Sequence, residues 1–124
     1  MLYHVTFLLS LTGIREHGLT PGLDQVWRNR YDKQLGEKGK VYLFTDRAEA
    51  VKWAFKQEFD FKMPCVVLEI ASDCKTEPDP NALMRHSVQT AEAIDKECIV
   101  GMFFAWPAEV RAVVEEERSR YEAS

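Results

Sequence analysis

Cys65-Val66-Val67-Leu68-Glu69-Ile70 is the stretch on which the fold turns. Pro64 precedes it and Ser72 follows it, and between them the run is almost wholly apolar. Strict alternation of apolar and polar residues marks a strand with one wet face, whereas a short continuous run rich in branched residues marks one covered on both. The run is therefore predicted to be a central strand with layers on either side.

Working outward toward the N-terminus, Lys40-Val41-Tyr42-Leu43-Phe44 reads as another strand, closed by Thr45 and Asp46. Asp46 and Glu49 stand at capping-box spacing, so a helix follows, with Val51, Ala54 and Phe55 on its apolar face. The segment from Asp24 to Gly39 sustains no period, and Arg28, Arg30, Lys33, Lys38 and Lys40 interleave there with Trp27 and Tyr31. That pattern predicts an exposed loop. Leu2-Tyr3-His4-Val5-Thr6-Phe7 is aromatic and β-branched, which predicts an opening strand. Leu8, Leu11 and Ile14 then recur at helical spacing, and the short helix should stop at a left-handed Gly18 before the turn-forming Thr20-Pro21-Gly22.

Toward the C-terminus, Thr76-Glu77-Pro78-Asp79-Pro80-Asn81 alternates prolines with acids and is predicted to be a rigid acidic loop. Met84 to Thr90 and Cys98 to Phe104 return as strands. Trp106-Pro107 starts a helix, since proline is tolerated in a first turn, and its end, Glu115 to Arg120, is charged and solvated. Strands and helices mixed in this way over 124 residues with 46% hydrophobic content predict one α+β domain, residues 1–124, large enough for a core.

The net charge is −4 and the basic residues are scattered among acids, which argues against a duplex nucleic-acid binder and leaves nucleotide-sized ligands open. Cys65, Cys74 and Cys98 show no pair at metal or redox spacing, so reduced thiols are expected, as is the absence of a metal. The apolar stretch Met1 to Leu11 contains His4 but no positively charged region and is too short for about 30 Å of hydrocarbon, so no membrane partner and a cytoplasmic location are expected. No glycine-rich phosphate loop follows a strand, which disfavours a Rossmann dehydrogenase, and no Ser-x-Gly elbow supports a hydrolase.

Leu2-Tyr3-His4-Val5-Thr6 and Val41-Tyr42-Leu43-Phe44-Thr45 together resemble the paired signatures of ADP-ribosyltransferases of the His-Tyr-acid class, both the small antibiotic-modifying type and the DNA-modifying, toxin-like type. Further echoes follow in the family's order. His17-Gly18-Leu19-Thr20-Pro21-Gly22 is similar to its "GL-x-PG" turn, Trp53-Ala54 to a helical pair, Glu77-Pro78-Asp79-Pro80-Asn81 to an "EDDPN" loop, and Ile94-Asp95-Lys96-Glu97-Cys98-Ile99 to an "IPPEYI" element. Each string is short, so the ordered set over residues 2 to 104 carries the likeness.

The resemblance implies a split β-sandwich of two small sheets flanked by short helices, with NAD as substrate, an acceptor that is a macromolecule or small molecule, and His4 and Tyr42 lining one cleft. It implies that His4, with Thr6 beside it, holds a ribose hydroxyl, and that Tyr42 stacks on nicotinamide. The cluster of Arg28, Arg30 and Lys33, if functional, would grip the NAD pyrophosphate or an anionic target. The transition state is a ribosyl oxocarbenium, which needs an acid or amide nearby. Toxin-like members place a glutamate on the strand before the "IPPE" element, but Arg85 to Thr90 holds no acid. Asp79 is the first candidate, by its match to the antibiotic-modifying type, with Glu77 and Gln89 beside it.

Plainer readings stand next to these: His4 as a hydrogen-bonded core histidine, Tyr42 as a packed strand aromatic, Asp79 as a turn cap, and Arg28, Arg30 and Lys33 as solvated charge. NAD hydrolysis, RNA 2′-phosphotransferase chemistry and a non-catalytic binding role remain alternatives to ADP-ribosyl transfer.

Overall fold

The structure is a computed structural model, and it describes residues 1–21, 40–79, 86–105, 116 and 119–122. In chain order the elements are β1 (Leu2–Phe7), a 3-10 turn (Leu8–Ser10), α1 (Leu11–His17), β2 (Val41–Phe44), α2 (Arg47–Phe61), β3 (Cys65–Ile70), β4 (Glu77–Pro78), β5 (Ser87–Thr90), a second 3-10 turn (Lys96–Cys98) and β6 (Ile99–Phe104). The architecture is α+β. The described strands form a single antiparallel sheet of six in the order β4-β5-β2-β1-β3-β6.

Two separate small sheets were expected, and the described strands instead make one. The sheet narrows sharply in its middle. β1 and β3 share the whole register from Leu2↔Ile70 to Phe7↔Cys65, and β2 and β5 share Val41↔Thr90 to Phe44↔Ser87. β1 and β2 meet only at Tyr3↔Phe44. Three strands therefore lie on each side of one register pair.

β3 is doubly covered, as its apolar run predicts, and paired on both sides, though it lies beside the edge strand β6 rather than at the middle of the sheet: Val66, Val67, Leu68 and Ile70 are all at 0% exposure. Alternation divides them between two clusters. Cys65 and Val67 face α2 with Val5, Phe7, Phe44, Ala50, Val51 and Ala54. Val66, Leu68 and Ile70 face the other way, with Leu19, Leu43 and Ile94. Each such aliphatic side chain contributes roughly 1.5–3 kcal/mol by leaving water, an upper bound because the unfolded chain already buries some of it.

The N-cap half of the expected capping box forms, with the Glu49 amide donating to Asp46 Oδ2 at 3.0 Å, while Glu49 Oε1 accepts from Lys52 at 3.2 Å. The buried face of α2 is Ala50, Val51, Ala54 and Gln57. Phe55, expected on the apolar face, is 42% exposed, and the polar Gln57 takes an inward position. α1 ends at Gly18, whose amide donates to the Ile14 carbonyl at 2.7 Å. Gly18 has φ +75° with ψ −164°, a positive-φ cap though not an αL one, and a Cβ there would collide with the Ile94 carbonyl. Leu19 and Ile94 then exchange both backbone hydrogen bonds at 2.9 Å, tying the end of α1 to the segment before β6.

The predicted acidic loop carries a short strand, because Glu77 pairs with Gln89 and Pro78 with Val88 at the sheet's edge. Proline is tolerated there because an edge strand can turn its missing donor outward. The strand expected from Met84 is described from Ser87. The loop of Asp24 to Gly39 and the helix start at Trp106 lie outside the described residues. Cys65, Cys74 and Cys98 form no disulfide. Among the described residues no helix is long and apolar enough to cross a membrane.

Candidate functional site

β1 delivers His4 to the narrow middle of the sheet. Its Nδ1 lies 2.8 Å from the main-chain oxygen of Tyr42 on β2. A carbonyl can only accept, so Nδ1 carries a proton and donates it here. The contact stands just past Tyr3↔Phe44, where the β1–β2 ladder has no further register pair. A side chain thus joins two strands whose main chains have stopped pairing.

Counted from that pair, Tyr42 falls in phase with Tyr3 and out of phase with His4. In an unbent sheet the two rings would leave opposite faces. A shared cleft therefore depends on the opening of the ladder at this point, and the link between the two residues runs through the Tyr42 main chain. Thr6, two residues beyond His4 and in phase with it, is 3% exposed, and its hydroxyl has no hydrogen-bond partner among the described residues.

On the other side of the junction, register aligns three of the candidates. Tyr42 sits opposite Gln89, and Gln89 opposite Glu77, so one row across β2, β5 and β4 carries all three on one face. Gln89 is 2% exposed; its Nε2 donates to Glu77 Oε1 at 2.8 Å, while its own Oε1 has no partner among the described residues. Lys40, in phase with Tyr42, donates to the same Glu77 oxygen at 2.9 Å. The Lys40 donor, then Gln89, then the lysine charge hold the Glu77 carboxyl below its ordinary value.

Asp79 lies one step along from this row. Its Oδ2 accepts the Ser87 hydroxyl at 2.7 Å, and its amide donates to the Ser87 carbonyl at 3.2 Å. The acids missing from β5 therefore stand against it, supplied by the neighbouring segment: Glu77 beside Gln89 and Asp79 beside Ser87.

Arg28 and Arg30 lie outside the described residues. Lys40 and Ser87 were not picked out from the sequence as site residues. The signal for Lys40 was available, since a lysine two residues before Tyr42 in a strand shares its face; Ser87 had none. Among the described residues no group of three or more His, Cys, Asp or Glu side chains could hold a metal ion. No family model, no curated protein and no solved structure matches the chain.

Proposed function

We propose that this chain has the split sheet of an ADP-ribosyltransferase, binds NAD, and transfers its ADP-ribose to an acceptor. The bond between the nicotinamide nitrogen and the ribose anomeric carbon breaks, with its electron pair leaving on nicotinamide. An oxygen or nitrogen of the acceptor forms the new bond to that carbon and loses its proton to solvent or a nearby base. His4 Nε2 accepts a ribose hydroxyl, with Thr6 Oγ1 behind it, and Tyr42 lies flat on the departing ring. A carboxylate from the β4 segment faces the developing cation.

The observation that carries this reading is the contact between His4 Nδ1 and the Tyr42 carbonyl, 2.8 Å at the one-pair junction between two three-stranded halves. It brings together the two strands that bear the resemblance, and it orients the His4 ring through Nδ1. The row from Tyr42 through Gln89 to Glu77 supports it by placing an ionised carboxylate in line with the aromatic ring.

The test is to incubate the protein with NAD and measure free nicotinamide by mass spectrometry. Release above buffer is expected, greater with an acceptor than with water. Release to water alone makes the protein an NAD hydrolase. NAD binding without release makes it a non-catalytic binder, the reading favoured by the lack of an acid on β5 itself. Neither binding nor release would refute the proposal.

A further inference from the structure

We propose that Lys40 and Gln89 are positioning residues that clamp one oxygen of Glu77, so that the other oxygen is the one presented to the ribosyl cation. This deepens the transferase reading and rests on it. It chooses Glu77 over Asp79, the acid that the resemblance favours.

The geometry is asymmetric. Two donors converge on Glu77 Oε1, from Lys40 at 2.9 Å and Gln89 at 2.8 Å, and Oε2 takes no hydrogen bond among the described residues. An exposed lysine–glutamate pair is ordinarily worth little, because solvent screens it and both side chains must be immobilised. This pair differs in two ways. The Lys40 side chain is only 20% exposed, against 54% for Glu77, so the donor is the better-held partner. The second donor is an amide on a residue 2% exposed, whose place is fixed by the β5 register on both sides.

Gln89 Oε1, buried and without a partner, is an independent sign of a ligand beside the carboxylate. A buried acceptor left unpaired is unfavourable unless something with an N–H or O–H group completes it. A ligand hydroxyl or carboxamide that also reaches Glu77 Oε2 would do so. Asp79 is arranged differently, since Ser87 binds both its carboxylate and its main chain to the strand edge.

Alternation along the segments puts Lys40 and Tyr42 from the β2 side, and Lys75 and Asp79 from its own segment, in phase with Glu77. β5 contributes the neutral Gln89 and Ser87. Lys40 is the cation among them that bonds the Glu77 carboxylate, and its removal should move the titration of Glu77 upward.

The experiment follows the Glu77 side-chain carboxyl by carbon-detected NMR across a pH titration of the unliganded protein, alongside the pH profile of nicotinamide release. In Lys40→Met the midpoint should rise and the acid limb of the profile should move with it, with turnover down about tenfold and KM for NAD nearly unchanged, as for loss of one charge-assisted hydrogen bond. Lys40→Arg should restore both, and Gln89→Leu should raise the midpoint by a second, separate route. Glu77→Gln should lower turnover by about 10²–10³. An unmoved midpoint in both Lys40→Met and Gln89→Leu overturns the clamp whatever the activity. Full activity in Glu77→Gln overturns its catalytic place. A midpoint that moves in a protein releasing no nicotinamide supports the clamp and overturns the transferase reading.

Discussion

The Nδ1 of His4 stands 2.8 Å from the carbonyl oxygen of Tyr42, joining two strands that share a single register pair. Removing the ring leaves that carbonyl without this donor, and the junction between the sheet's halves loses a side-chain tie. His4→Ala should therefore lower stability by about 1 kcal/mol, the usual net worth of one hydrogen bond. Urea unfolding measures this, and a variant as stable as the parent would show that the tie is dispensable.

Tyr42→Ala separates ligand binding from packing. Because Tyr42 is only half-buried, the unliganded melting temperature should fall little, whereas the rise produced by saturating NAD should shrink. Thermal unfolding with and without NAD decides it, and an unchanged NAD response would remove the ring from the site.

Glu77 gives the fold a specific acid sensitivity. Its folded-state value is depressed by Lys40 and Gln89, so its contribution to stability is present above the ordinary glutamate value of 4.5 and is lost as pH falls through the depressed one. Melting temperatures of the wild type and Glu77→Gln should differ at neutral pH and converge in acid. Parallel curves at all pH values would contradict the assignment.

Gln57 faces inward from α2 at 3% exposure, and neither end of its amide has a partner among the described residues. Replacing it with an apolar side chain of similar size removes an unsatisfied donor and acceptor. Gln57→Leu should stabilise the protein by roughly 1–3 kcal/mol. A fall in the urea midpoint would show that the amide is satisfied in solution.

Gly18 is required twice, by its φ of +75° and by its approach to the Ile94 carbonyl. Gly18→Ala should destabilise by more than ~1 kcal/mol, since the strain of a positive φ adds to the displaced contact. Thermal unfolding tests this too, and a neutral outcome would mean that the α1–β6 connection yields easily.

Much of this arrangement was legible in local pattern. The unbroken run at Cys65–Ile70 announced burial on both faces, the spacing of Asp46 and Glu49 announced a cap, and Gly18 announced a helix end. What escaped was whatever depends on register. That Glu77-Pro78 pairs with β5 could not be read from a proline-flanked acidic string, because an edge strand tolerates proline by virtue of what lies beside it. Lys40 and Ser87 likewise acquire roles only from partners 37 and 8 residues away. Phe55 was expected inward by spacing, but the face that α2 buries is Ala50, Val51, Ala54 and Gln57, a choice made by how the helix is rotated on the sheet rather than by its own apolar pattern.

If the chain is the proposed transferase, His4 and Tyr42, out of phase along their strands, must serve one nucleotide at the junction between the sheet's halves. Intermolecular nuclear Overhauser effects from bound NAD test it most directly. Contacts from nicotinamide protons to the Tyr42 ring and from the adjoining ribose to the His4 ring, in one complex, are expected. Contacts to only one of the two rings, or to neither, would contradict it.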